Sequence, residues 1–211
     1  MAAALVDTSR YNSLPSLQVA SETYKDKALD DVLKGPIRDT FVKHDVQDFG
    51  LYLQHAHHTL RAGEAVVKVA GTAHQMSAKD MQDVRSFGSD IVATTWMTTE
   101  TDLVPMELDV VSAGTVTPSP SPAFIADLLA VLLANGCMGI FGIDTKASTP
   151  WIEKKIGTAS VVVPVEDARA PAFNDEYIPV MYTFEKSDPG YVVHGKCNVK
   201  GGHKHTSKPV K

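Results

Sequence analysis

Strand-length apolar stretches follow one another along this chain with little helical pattern between them, and no other feature limits its fold as much. Residues 49–57 and 64–70 are two such stretches, separated by the turn-like Arg61-Ala62-Gly63, and together they read as a hairpin. Residues 91–96 and 104–112 form a second pair. In the last of these, Val104, Met106, Leu108 and Val110 share one face, and Glu107 and Asp109 share the other. Such alternation belongs to an antiparallel sheet with one wet face. Further strands are expected at 138–143, 158–165 and 177–184, with a short piece at 191–194. Strands that do not alternate with helices argue against a parallel, Rossmann-like sheet.

Helical patterns are few. Ala28, Val32 and Leu33 recur at helical spacing before Gly35-Pro36, and Ile37, Phe41 and Val42 continue after it, which predicts two short helices. Pro118, Pro120 and Pro122 alternate with Ser and Thr, a run that neither a helix nor a sheet interior accepts. A longer helix is expected directly after it, capped by Ser121, entered at Pro122 and closed by Asn135-Gly136. Phe124, Leu128, Val131 and Leu132 make one stripe on it, with Ile125, Leu129 and Leu133 beside them, so it should be buried on nearly every side. Residues 1–24 read as an N-terminal arm with a short strand at 14–19. The expected architecture is a single α+β domain over 25–195. It is a mainly antiparallel sheet of about seven strands, with one long buried helix and short N-terminal helices. A flexible basic tail is expected over 196–211.

At 211 residues and 44% hydrophobic, the chain can bury a core without covalent staples. A net charge of -5 argues against a nucleic-acid partner, because phosphate binding needs a concentrated basic face. The two cysteines, Cys137 and Cys197, offer no disulfide framework, and Cys137 sits in an apolar run that predicts a buried thiol. No stretch is long and apolar enough to predict a membrane span or a signal peptide, so no membrane partner is expected and a cytoplasmic location is. Phosphate-loop, dinucleotide and serine-hydrolase signatures do not occur.

The segment FGLYLQHAHHTLRAGE, residues 49–64, concentrates the chemistry. On a strand, Phe49, Leu51, Leu53, His55 and His57 would share one face, with Tyr52, Gln54 and His58 on the other. Two histidines at that spacing can ligate one metal, or serve as acid and base on one substrate. Glu64 completes a pattern like that of cupin metal sites. The expected register, His57 opposite Ala65 and His55 opposite Val67, puts Glu64 on the far face unless Gly63 is a bulge. His74, on the chain beyond the second strand, is the candidate third metal ligand. His194, Cys197, His203 and His205 form a second donor set by residue type, weighed against a draped tail.

The Leu53-x-His55-x-His57 strand with Gly63-Glu64 after it resembles a large group of uncharacterised fungal proteins. The apolar helix followed by MGIFGI and the later GTASVVV stretch extend the likeness over residues 45–185. In that group the residue between the histidines is often basic, whereas here it is Ala56. The resemblance implies a lineage and a fold. It singles out His55, His57 and Glu64 as catalytic candidates without assigning an activity.

Two functions follow. The first is a protein that binds a small organic molecule and transfers protons through His55 and His57, as an isomerase, dehydratase or cyclase would. Its pocket would lie between the sheet and the 122–135 helix. It would act with or without a divalent metal on His55, His57 and His74. The alternative is a non-catalytic interaction domain, homodimeric, with structural histidines.

Overall fold

The computed structural model describes residues 6–156, 159–165 and 177–198. Ten strands of the described residues close into one barrel. They are β1 (Phe49–Leu53), β2 (Glu64–Val69), β3 (Thr72–Ser77), β4 (Ser89–Thr98), β5 (Leu103–Ser112), β6 (Phe141–Thr145), β7 (Trp151–Ile156), β8 (Ala159–Pro164), β9 (Tyr177–Thr183) and β10 (Val192–Asn198). Around the barrel they run β1-β6-β4-β5-β2-β3-β8-β7-β10-β9, and β9 returns to β1. The β2–β5 and β7–β10 pairs are parallel and the rest antiparallel.

A closed, mixed barrel replaces the open, mainly antiparallel sheet of about seven strands expected above. Only the second expected hairpin forms, as β4–β5. The first does not: β1 pairs with β6 and β9, and β2 with β3 and β5. Its true partner joins β2 through the two-residue turn Ala70-Gly71, where φ is +47° and +78°, as a tight hairpin turn requires. Two strands escaped the sequence pattern because polar residues break their apolar rhythm. These are β3, TAHQMS, and β7, WIEKKI, and both are needed for closure.

Register assigns each wall residue to a face. Leu51 opposite Ile143, Leu53 opposite Phe141, and Val67 opposite Leu108 lie on the outer face. Tyr52 opposite Gly142, Thr95 opposite Asp144 and Glu107, and Cys197 opposite Glu153 lie on the other. That second face is the lumen. Glu107 on β5 and Glu153 on β7 are separated around the wall by β2, β3 and β8, yet both touch His57, which only a path across the interior allows.

Helices cover the outer face. They are α1 (Thr8–Asn12), α2 (Leu17–Asp26), α3 (Asp30–Val32), α4 (Arg38–Lys43), α5 (Ala78–Ser86) and α6 (Pro122–Ala134). A π turn at Leu33–Ile37 joins α3 to α4, kinked at Gly35 before Pro36. Residues 17–26 are helical, which overrides the strand expected at 14–19: Ser16 caps this helix by accepting from Val19 N. The Tyr24 ring stacks on Tyr182 and meets Phe141 edge-on, and Phe41 packs between Phe124 and Phe184. The α6 helix starts at the Ser121 cap, but it is one-sided. Phe124, Leu128, Leu129 and Leu132 are buried, while Leu133 is 62% exposed. Among the described residues no helix is long and apolar enough to cross a membrane.

Candidate functional site in the barrel lumen

The strand ends at Leu53, before the histidines. His55 and His57 therefore do not extend the Leu51–Leu53 face. The chain turns inward and brings them to the opposite, lumen side, where the Tyr52 hydroxyl stands 3.3 Å from His57 Nε2. This loop is held from several directions. Gln54 Nε2 donates to Phe141 O, Ala56 N donates to Pro15 O, and Gln75 Nε2 donates to Thr59 O. Helix α1 clamps it as well. The Tyr11 hydroxyl accepts from His57 N at 3.1 Å, and Asn12 both donates to Leu60 O and accepts from Leu60 N.

The two imidazoles meet, with ring centroids 4.4 Å apart and Nε2 atoms 2.6 Å apart. Their neighbours assign the protons. His55 Nδ1 lies 2.8 Å from Leu53 O, which only accepts, so Nδ1 carries hydrogen. His57 Nδ1 lies 3.1 Å from Glu107 Oε1 and 3.2 Å from Glu153 Oε1, so it too carries hydrogen. Both Nε2 atoms are thereby turned on each other. Cys197 adds a third donor: its Sγ and the histidine nitrogens lie within 4.8 Å of one another. The thiol also faces Glu153 Oε2 at 3.5 Å.

A line of charge leads from this cluster to the far mouth of the barrel. Glu107 Oε2 pairs with Lys68 Nζ at 3.0 Å. Lys68 lines a cavity of about 220 Å³ with Asp109, Asp144, Lys146, Trp151 and Thr94. Asp144 accepts a hydrogen bond from Thr95 Oγ1 at 2.9 Å. At Gly195 an added Cβ would fall 2.4 Å from the Trp151 ring, so glycine is what lets the indole lie against the β10 backbone.

Burial and pairing pull these groups in opposite directions. Burial alone would lower His57, but Glu153 and Glu107 prevail and raise it to about 8. Burial opposes Lys68's charge, yet Glu107 and the other lumen carboxylates hold it above the ordinary lysine range. Burial pushes Glu107 up, and Lys68 and His57 overcome it, holding that carboxyl well below the usual range. At Asp144 burial outweighs the attraction of Lys68 and raises the carboxyl to about 6. Burial, reinforced by Glu153, pushes the Cys197 thiol well up.

Of the candidates read from sequence, the fold brings His55 and His57 together and seals them. Glu64 starts β2, and its Oε2 accepts from Arg61 N in the preceding turn. His74 lies on β3 with its side chain exposed, opposite Val67. The lumen cluster includes neither. His194 Nε2 bonds Ala147 O at 2.9 Å, and His203 and His205 lie outside the described residues. Helix α6 packs on the α4 side through Phe124 and Phe41 rather than roofing the histidines.

Sequence reasoning missed Lys68, Glu107, Asp144 and Glu153, and it grouped Cys197 with His194, His203 and His205 rather than with His55 and His57. It placed Glu107 and Asp109 on a solvated face, but Glu107 is 1% exposed because that face turns inward when the barrel closes. The signal was there in part: Lys68 interrupts the apolar Val66-Val67-Lys68-Val69. Comparison with protein-family models, curated proteins and solved structures finds no match.

Proposed function

We propose that this chain is an enzyme acting by proton transfer on a small carbonyl compound bound in the mouth that Lys68 and Asp144 line. The observation that carries the reading is Lys68, which reaches the cavity while its ammonium is anchored inside on Glu107, itself against His57. A cavity of 220 Å³ is below the size of drug-like sites, which begin near about 300 Å³, and suits a metabolite of few atoms.

The division of labour follows from charge. Asp144, raised to about 6 by burial, is mostly ionised at neutral pH yet more basic than a surface carboxylate, so it takes a proton from carbon. The Lys68 ammonium stabilises the negative charge that develops on the carbonyl oxygen. Glu107, steadied by His57, keeps Lys68 charged and in place. Isomerisation of a ketone and dehydration of a 3-hydroxy acid through an enolate both begin with this step.

Exchange of carbon-bound hydrogen tests the proposal without knowledge of the product. The protein is incubated in D₂O with a panel of small ketones, 2-oxo acids and 3-hydroxy acids, and deuterium uptake is followed by NMR. At least one panel member should exchange, and Asp144→Asn and Lys68→Met should each abolish that exchange while the fold is retained. No exchange across the panel, or full exchange by Asp144→Asn, overturns the reading.

A further inference from the structure

We infer that His55, His57 and Cys197 bind a borderline-soft divalent transition ion, zinc by ligand type, inside the lumen. This goes beyond the acid–base reading of the mouth and does not depend on it.

The first support is the direction of the two rings. Histidines that ligate metal typically donate their other ring N–H to a carbonyl or carboxylate, which fixes the tautomer and aims the remaining nitrogen. His55 Nδ1 does so to Leu53 O at 2.8 Å, and His57 Nδ1 stands at ion-pair distance from Glu107 and Glu153. Their Nε2 atoms converge on one point from two different backbone positions.

The second support is the third donor. Cys197 comes from β10, far along the chain from the histidine loop, yet Sγ lies within 4.8 Å of a ring nitrogen of each histidine. A thiolate with two imidazoles is a donor set for zinc or copper and a poor one for magnesium or calcium. All three residues are at most 5% exposed, so the site is enclosed. Two nitrogens on tetrahedral zinc stand about 3.3 Å apart, given bonds of about 2.0–2.1 Å, so the rings part slightly on loading.

Loading displaces the thiol proton of Cys197 to solvent, and no redox change occurs.

Untagged protein tests this by metal analysis after dialysis and by titration of the metal-free form with Co²⁺. We expect about one equivalent of retained zinc. Cobalt should give the visible bands of a tetrahedral centre and a thiolate-to-cobalt charge-transfer band in the near ultraviolet. That band should vanish in Cys197→Ser and persist in Cys137→Ser and in His74→Ala. X-ray absorption of the zinc-loaded wild-type chain should show one sulfur neighbour, a readout that survives if Cys197→Ser fails to fold. Absence of a thiolate band from the wild-type chain, its persistence in folded Cys197→Ser, or a sulfur-free zinc environment overturns the inference. Asp144→Asn should leave the cobalt spectrum unchanged, so failure of the acid–base reading and failure of the metal site are seen separately.

Discussion

On the outer face of the barrel, Leu51, Leu53, Phe141 and Ile143 lie beneath helix side chains such as Tyr24. On the lumen face, one strand position away, stand Tyr52, Thr95, Glu107, Asp144, Glu153 and Cys197. Both faces are out of water, by opposite means. The outer face is buried by shape, and each apolar contact is replaceable by another of similar volume. The lumen is buried by matching charge to charge, and each member is tolerable only while its partner remains. A protein that needed only stability would fill such a lumen with leucine and valine. Matched charges in such a lumen add little net stability over leucine and valine of the same volume.

The sharpest way to break this comparison is to unmatch the lumen. Glu107→Leu should destabilise by about 3–5 kcal/mol in chemical denaturation, because Lys68 and His57 lose the carboxylate they face. The double variant Lys68→Met/Glu107→Leu should recover much of that loss. If the single variant is neutral, the lumen is not held by charge matching.

The outer face should respond to lost volume instead. Leu128 of α6 is fully buried, and Leu128→Ala should cost about 2–5 kcal/mol, with no effect on binding at the mouth. A cost below about 1 kcal/mol would demote α6 to a peripheral element.

A third measurement sharpens the contrast through pH. Folded Asp144 holds its proton up to about pH 6, against an ordinary value of 3.8 in the unfolded chain. Between these values folding is linked to proton uptake, so this group's contribution is complete below about pH 4 and is lost as pH rises through 6. The loss is on the order of 3 kcal/mol at most. Stability curves over that window should be flatter for Asp144→Asn than for the wild-type chain. Equal slopes would place Asp144 in a more solvated setting than the lumen wall.

Gly195→Ala should be milder, at about 1–3 kcal/mol, since the new methyl forces the Trp151 indole off the β10 backbone and reshapes the mouth. Ligand binding there should weaken in step, and unchanged stability would mean that the indole shifts freely. Smallest of all, Leu133→Ser should fall within about 0.5 kcal/mol of neutral, because that side chain is 62% exposed on the same helix as Leu128. A large cost would show that a partner covers Leu133.

How much was legible follows from what kind of signal each feature leaves. The α6 helix was readable from Ser121, Pro122 and Asn135-Gly136, because caps act within one turn of chain. The β4–β5 hairpin was readable because its partners are neighbours in sequence. The pairing of β1 with β6 and β9 was not, since an apolar run states that a strand is buried without naming the strand beside it. That His55 and His57 come together was legible from their spacing. The reason offered, alternation along one strand, was wrong: the strand stops at Leu53 and a turn delivers the rings.

By itself the sequence determined most of the extended segments, the capped helix at 122–134, and that two histidines stand close together. These depend on contacts within a few residues. Only the tertiary structure decided which face of each strand is the inside. The same alternation in β5 describes an open sheet with Glu107 in water or a closed barrel with Glu107 in the lumen. Closure chose the second, and it alone carries Glu153 and Cys197 across the interior to His57. Side-chain periodicity records that two faces differ, and only the curvature of the whole wall says which of them meets water.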